Sequence, residues 1–279
     1  MTTLGVFARV FPAGPAGKVA AAIRDAGFTS TQLNLSAVGR PALDTGLDRS
    51  AAVAIRRDFE AAGVSVWGVS GTFNAVHPDR ERRRRDARAC LNVIRHAPDL
   101  GAAVVTLCTG TRDPGDMWRA HPGNTAPAAW EDLLETLRQL VPAAAAAGVK
   151  LGIEPEQGNV VRDADAAWRL LQDLGDDAGH IVMVLDPANL LTPDTVGRQH
   201  DILRRAFGLL GARTAAVHAK DVAPSGFAAA GTGPLDYDLV FALHAGLPGD
   251  VPVIAQDLEP GDAQRVHRFL TEHATRAAR

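Results

Sequence analysis

Two cysteines, Cys90 and Cys108, are too few for a disulfide framework in a chain of 279 residues. A reducing, cytoplasmic setting is the expectation that follows. Long apolar runs are missing as well: no stretch approaches the ~18 consecutive apolar residues of a membrane span. The opening Met1-Thr2-Thr3-Leu4-Gly5 carries neither the basic nor the apolar part of a signal peptide. Excess positive charge is also absent, since 29 Lys and Arg against 32 Asp and Glu leave a net charge of −3. That balance offers no electrostatic footprint for nucleic acid or an anionic membrane. Aromatic residues make up 5% with a single tyrosine, so small and aliphatic side chains must build most of the core.

What remains, 46% hydrophobic and 22% charged, is the composition of a soluble globular protein. Apolar runs that read as strands cover Leu4–Val10, Thr31–Leu35, Val64–Ser70, Ala102–Cys108, Val149–Glu154, Ile181–Asp186, Thr214–His218 and Val251–Gln256. Helical patterns alternate with them at Lys18–Ala26, Arg49–Ala62, Pro78–Leu100, Pro127–Ala147, Asp163–Leu174, within Pro193–Gly211, then Asp236–Ala245 and Asp262–Ala278. Gly27, Gly63 and Gly148 punctuate helix ends, and Asp163 is a predicted N-cap. Eight such repeats without a linker predict an α/β chain folded as a single (β/α)8 barrel, one domain over residues 1–279, close to the ~250 residues typical of that fold.

Four of the predicted strands share a terminal feature. They end in Glu154, Asp186, His218 and Gln256, separated by 32, 32 and 38 positions, about one βα unit each time. Strand C-termini of a parallel barrel converge on one mouth, so these side chains are expected together there. Taken alone, a strand-end acid is as readily a helix cap and a lone histidine a core residue. Three in register point instead to a divalent cation. Mn²⁺, Mg²⁺, Co²⁺ and Zn²⁺ all suit these oxygen and nitrogen donors, and ligand type alone does not choose among them.

Other motifs divide differently. Arg80-Glu-Arg-Arg-Arg-Arg85 opens an outer helix and reads as a solvated face rather than a phosphate patch. The segment from Gly226 to Pro234 lacks the Lys-Ser/Thr ending of a P-loop and reads as a flexible loop closing over a ligand. Trp130 and Trp168 lie on helices and are expected to pack. Cys108, with no paired base in view, is expected to be a buried small hydrophobe.

Gly152-Ile-Glu-Pro-Glu156, Leu185-Asp-Pro-Ala-Asn-Leu190 and Val217-His-Ala-Lys-Asp221 resemble the metal-binding strand ends of the sugar phosphate isomerase/epimerase family, the xylose isomerase-like TIM barrels. Thr72-Phe-Asn74-Ala-Val-His77-Pro-Asp79 and Cys108-Thr-Gly-Thr-Arg112-Asp-Pro resemble loops of bacterial members. The resemblance runs along essentially the whole chain. It implies a metal held by Glu154, Asp186, His218 and a fourth ligand from the last strand, where Gln256 stands in place of the usual glutamate. It also implies isomerisation or epimerisation of a keto-sugar, sugar phosphate or sugar acid through a metal-stabilised enediolate, with Glu154 carrying the proton. The expected partner is a small carbohydrate, with neither nucleic acid nor membrane involved; a homo-oligomer is compatible with the sequence.

Gln256 complicates the reaction, because an amide cannot act as a base near neutral pH. Glu156 and Lys220 are the expected further catalytic groups. Asp257, one residue past Gln256, would take its place if the strand end slipped by one. Substrate contacts are expected from Asn74, His77, Arg112, Trp118 and His121 on mouth-side loops. Arg112 would grip a substrate anion and Trp118 would stack on a sugar face. For Lys220, an ion pair with Asp221 or Glu156 is an equal alternative. A lyase or dehydratase, and a non-catalytic sugar-binding barrel, remain alternatives on the same scaffold. The DNA-repair nucleases that share the fold use a larger histidine-rich site and a basic face absent here.

Overall fold

Alternate side chains of a strand point to opposite faces, and that alternation separates the barrel interior from the helix layer. The computed structural model describes residues 2–278. Its strands are β1 (Leu4–Phe7), β2 (Ser30–Leu33), β3 (Ser65–Ser70), β4 (Val104–Leu107), β5 (Lys150–Ile153), β6 (Ile181–Leu185), β7 (Thr214–Ala219), β8 (Asp221–Val222), β9 (Phe227–Ala228) and β10 (Val253–Ala255). Eight of them close in the parallel order β1-β10-β7-β6-β5-β4-β3-β2, and β1 pairs back to β2. β8 and β9 form a short antiparallel hairpin above the end of β7.

The helices are α1 (Ala16–Asp25), α2 (Arg49–Ala61), α3 (Arg80–His96), α4 (Pro127–Ala147), α5 (Ala164–Leu174), α6 (Gln199–Leu210), α7 (Tyr237–Ala245) and α8 (Ala263–Ala277). Asp48, Asp79, Asp163 and Asp236 cap α2, α3, α5 and α7 by accepting first-turn backbone N–H bonds. Outward strand residues and inward helix residues make the main core, in which Phe28, Phe59, Ile94 and Leu133 are fully buried.

A second, smaller core plugs the barrel. Phe7, Val184, Ala216 and Ile254 meet inside it, with Trp67 and Val10 against them. Glycines let the plug close: a Cβ on Gly5 would stand 2.5 Å from Ile254 Cδ1, and one on Gly152 2.9 Å from Val104 Cγ1. The two-residue period then decides what lies above. Two positions beyond Gly152, Val184, Ala216 and Ile254 come Glu154, Asp186, His218 and Gln256. An apolar floor thus carries a polar layer, and the layer opens to the mouth.

Three local expectations are corrected. β1 stops at Phe7, and Ala8–Val10 turns as a 3-10 helix. Arg83 leaves the solvated face of α3: it is buried, donates to His77 O at 2.9 Å and pairs with Asp132 at 2.5 Å, tying α3 to α4. Arg80, Arg82 and Arg85 stay exposed as expected. Trp168 does not pack; it is 43% exposed, whereas Trp130 is buried and donates Nε1–H to Asp173.

Candidate active site

Glu154, Asp186 and His218 each direct one ligand atom to a common point, with all three atoms within 4.8 Å of one another. Asp186 is wholly buried at the end of β6. Its Oδ1 accepts the backbone N–H groups of Ala188 at 2.9 Å and Asn189 at 3.3 Å, because Pro187 starts a 3-10 turn there. Its Oδ2 accepts Gln256 Nε2–H at 2.5 Å and stands 3.3 Å from Lys220 Nζ. Glu154 Oε1 accepts Asn189 Nδ2–H at 2.6 Å and lies 3.2 Å from His218 Nδ1.

His218 is oriented from behind. Its Nε2 bonds Gln32 Oε1 at 3.0 Å, while Gln32 Nε2 donates to Ser70 Oγ at 3.1 Å and Thr106 Oγ1 at 3.0 Å. Phe7 packs edge-on against the imidazole at 5.1 Å. With the Nε2 proton committed to Gln32, Nδ1 faces the carboxylates as a lone-pair donor. Two carboxylates and an imidazole nitrogen aimed at one point repel each other unless positive charge lies between them. That donor set therefore fits a divalent cation. Gln256 reaches the group but presents its amide nitrogen, 3.2 Å from His218 Nδ1, and not the oxygen that ligation would use. Two acceptors, Asp186 Oδ2 and His218 Nδ1, demand a donor from it.

Burial pushes the Glu154 carboxyl up, and His218 in its protonated, ion-free form together with Lys220 outweighs it, holding the carboxyl below its usual range. Burial raises Asp186 above the usual range, against the pull of Lys220. For Glu156, burial and the neighbouring Glu154 act together and push the carboxyl up to about 8. Lys220 loses charge stability to burial but gains more from Asp186, Glu154 and Asp257, and is held above its ordinary value. Its ammonium stands 3.2 Å from Asp257 and 3.5 Å from the Phe227 ring centre. Neither expected partner of Lys220, Asp221 or Glu156, holds it. Asp221 instead accepts the backbone N–H groups of Val222, Gly231 and Leu235, and so folds the glycine-rich segment. Asp257 adopts φ 51°, the one positive φ among the described non-glycine residues, with its carboxylate turned to Lys220.

Above the layer lies a cavity of about 480 Å³, of a size for a small metabolite. Glu154, Glu156, Lys220 and Trp118 line it. Trp118 is 49% exposed, and its carbonyl sits so close to Gly158 that a Cβ there would be 2.0 Å away. Asn34 Oδ1 and Asn189 Oδ1, both on lining residues, are buried without a protein donor, and each can accept a hydroxyl. Cys108 also lines the wall. Its thiol is pushed well above its ordinary value by burial and then by Glu156, and it donates to Asn159 Oδ1 at 3.0 Å.

Four residues expected at the substrate are not among those lining this cavity. Asn74 bonds the Thr111 carbonyl at 2.8 Å and N–H at 3.1 Å, joining two loops. His77 accepts Asp79 N–H at 3.0 Å and contacts Pro114 O. Arg112 pairs with Asp132 at 2.7 Å and donates to Val76 O at 3.0 Å, sharing Asp132 with Arg83. His121 caps the short Pro122–Thr125 turn at the surface. His77 and His121 are engaged by turn bonds two residues away, Asn74 and Arg112 by partners far along the chain. The residues that sequence reasoning missed are Gln32, Ser70, Thr106 and Asn189. Ser70 and Thr106 carry a readable signal, a polar side chain near the mouth end of a largely apolar parallel strand, whereas Gln32 sits in the polar run Ser30-Thr31-Gln32 and gives none.

The family model described as xylose isomerase-like TIM barrel matches residues 20–246. No curated protein sequence matches the chain. Among solved structures, L-ribulose 3-epimerase superposes with a TM-score of 0.77 at 17% identity, covering 100% of this chain and 96% of that one. The 3-keto-D-glucoside 4-epimerase of E. coli gives 0.71 at 18% identity over 98% and 100% of the two chains. A xylose isomerase-like TIM barrel protein of Mycobacterium smegmatis in complex with magnesium gives 0.70 at 16% identity over 99% and 98%. With the family model spanning most of its length, this chain belongs to the xylose isomerase-like TIM barrel family.

Proposed function

We propose that the protein is a divalent-metal-dependent isomerase or epimerase of a small keto-sugar, sugar phosphate or sugar acid. The observation that carries this reading is the convergence of Glu154, Asp186 and His218 within 4.8 Å at the floor of a metabolite-sized cavity. Membership of the family and the likeness to two sugar epimerases support it. Mn²⁺ is the proposed ion, and Mg²⁺ fits the same ligands.

Glu154, Asp186 and His218 would hold the ion. Bound there, it would polarise a neighbouring carbonyl and hydroxyl and so acidify the C–H bond between them. Glu154 is the proposed base: its side chain keeps 20% exposure toward the cavity, and its carboxyl is held in the ionised form. Asn189 anchors one oxygen of that carboxylate. Gln256 clamps Asp186 and has no titratable proton, so the opposite acid falls to Glu156 or Lys220, both in the cavity wall. Trp118 would cover one face of the sugar, and Asn34 and Asn189 would accept its hydroxyls.

The amide of Gln256 also favours a second reading, a lyase, because elimination needs one base and one acid rather than two matched carboxylates. Incubating metal-stripped and Mn²⁺-loaded protein with ketoses in D₂O separates these readings. The proposal expects solvent deuterium in sugar of unchanged skeleton, only with metal. Loss of 18 mass units (one water) would make it a dehydratase. Ligand binding without any exchange would make it a binding protein.

A further inference from the structure

We infer that Arg9 binds an anionic group at the far end of the substrate, so that the substrate class is a sugar acid or sugar phosphate rather than a neutral sugar. The inference rests on the proposed metal-dependent reading of the cavity and narrows it. Two basic side chains line the cavity, Lys220 and Arg9. Lys220 is already engaged by Asp186 and Asp257. Arg112, the arginine expected from the sequence, is engaged by Asp132 and Val76 outside the cavity. Arg9 is exposed and has neither an ion-pair nor a hydrogen-bond partner among the described residues; its guanidinium rests 5.2 Å from the Phe7 ring.

Its position suits a two-point hold. β1 and β5 stand four places apart in the ring of eight strands, so Arg9, just past β1, faces Glu154, just past β5, across the mouth. Phe7 touches both ends: the Arg9 guanidinium lies 5.2 Å from the Phe7 ring centre, and that ring lies 5.1 Å from the His218 ring, which sets an upper limit on the separation of guanidinium and imidazole. Within that limit one small sugar can have its reacting end at His218 and its terminal group at Arg9. Asn34 extends from the neighbouring β2, where Phe7 pairs with Gln32, and its free Oδ1 can take a hydroxyl between the two ends. On the outer flank of Arg9, Asp257 and Asp262 are committed to Lys220 and Arg265, and Glu259 lines the same flank without forming an ion pair with Arg9. A guanidinium with two parallel donors recognises carboxylate and phosphate alike, which is why the chemistry is stated as an anion.

Calorimetric titration of the Mn²⁺-loaded protein with ribulose, ribulose 5-phosphate and ribonate tests the inference without requiring turnover. The wild type should prefer an anionic member over ribulose by roughly ten- to a hundredfold, the scale of a charge-assisted bidentate pair. An Arg9-dependent preference for ribulose 5-phosphate alone would identify a phosphate site, and an Arg9-dependent preference for ribonate a carboxylate site; a preference that survives Arg9→Gln reports chelation of the Mn²⁺ instead and counts against the inference. Arg9→Gln should bring the ratio close to unity, and Arg9→Lys, which keeps charge but not the fork, should recover part of it. Absence of any anionic preference in the wild type, or a ratio unchanged by Arg9→Gln, overturns the inference. Metal-dependent deuterium exchange is scored separately, so a failed catalytic reading with an intact Arg9-dependent ratio is recognisable as such.

Discussion

The two halves of the barrel mouth occupy equivalent inward positions and fill them with different chemistry. β5, β6, β7 and β10 supply Glu154, Asp186, His218 and Gln256; β1, β2, β3 and β4 supply Phe7, Gln32, Ser70 and Thr106. The later half concentrates charge in a buried layer. The earlier half is neutral, and its side chains act on the later half from across the barrel, through Gln32 on His218 and Phe7 on the same ring. The difference separates two tasks. Charge placed at one wall can hold a cation and move a proton, while a neutral wall fixes tautomer and ring plane without competing for the ion.

Breaking the charged half should have the largest effect. Glu154→Gln keeps the size of the side chain and its bond to Asn189 but removes the proposed base, and deuterium exchange should fall by about 10²–10⁴-fold with an unchanged circular dichroism spectrum. Exchange at the wild-type rate would remove Glu154 from that role.

Next comes the extra carboxyl on the same side. Glu156 is raised from 4.5 to about 8 by burial and Glu154. A carboxyl with a raised folded pKa stabilises the fold fully below its unfolded pKa, and that contribution is lost as pH rises through the folded value. Metal-stripped protein should therefore lose stability from pH 4.5 toward pH 8, with a ceiling of about 1.4 kcal/mol per pH unit that partial exposure reduces. Glu156→Gln should flatten that slope in thermal melts; an identical slope would mean that Glu156 titrates normally.

The smallest of the three effects belongs to the neutral half. Gln32→Leu frees His218 Nε2 and should weaken Mn²⁺ binding by roughly 10–100-fold in calorimetry. Unaltered affinity would show that the two halves are independent.

Much of the fold is legible in local patterns. Apolar runs and helical spacing place eight strand–helix repeats, and Asp163 marks the start of α5, while the capping roles of Asp48, Asp79 and Asp236 emerge only in the structure. The charged half is legible too, because Glu154, Asp186 and His218 interrupt apolar strands at equivalent points. The loop residues are not. Asn74, His77, Arg112 and His121 look like ligand-binding groups in sequence, yet Asn74, His77 and His121 satisfy partners in their own or a neighbouring loop, and Arg112 pairs with Asp132 on α4. Arg83 is hidden in a run of exposed arginines for the same reason: its partner, Asp132, is distant in sequence.

Sequence alone determined the barrel and the inward direction of its acids and histidine, because a two-residue period and a βα repeat are properties of neighbours along the chain. Tertiary structure decided what those groups meet. Closure of the ring brings β2 close enough for Gln32 to reach His218, sets Lys220 between Asp186 and Asp257, turns the Gln256 amide onto Asp186, and leaves Arg9 without an ion-pair partner among the described residues. Hydrogen bonds and ion pairs act over a few ångströms of space, and only the folded barrel makes positions 32 and 218 neighbours.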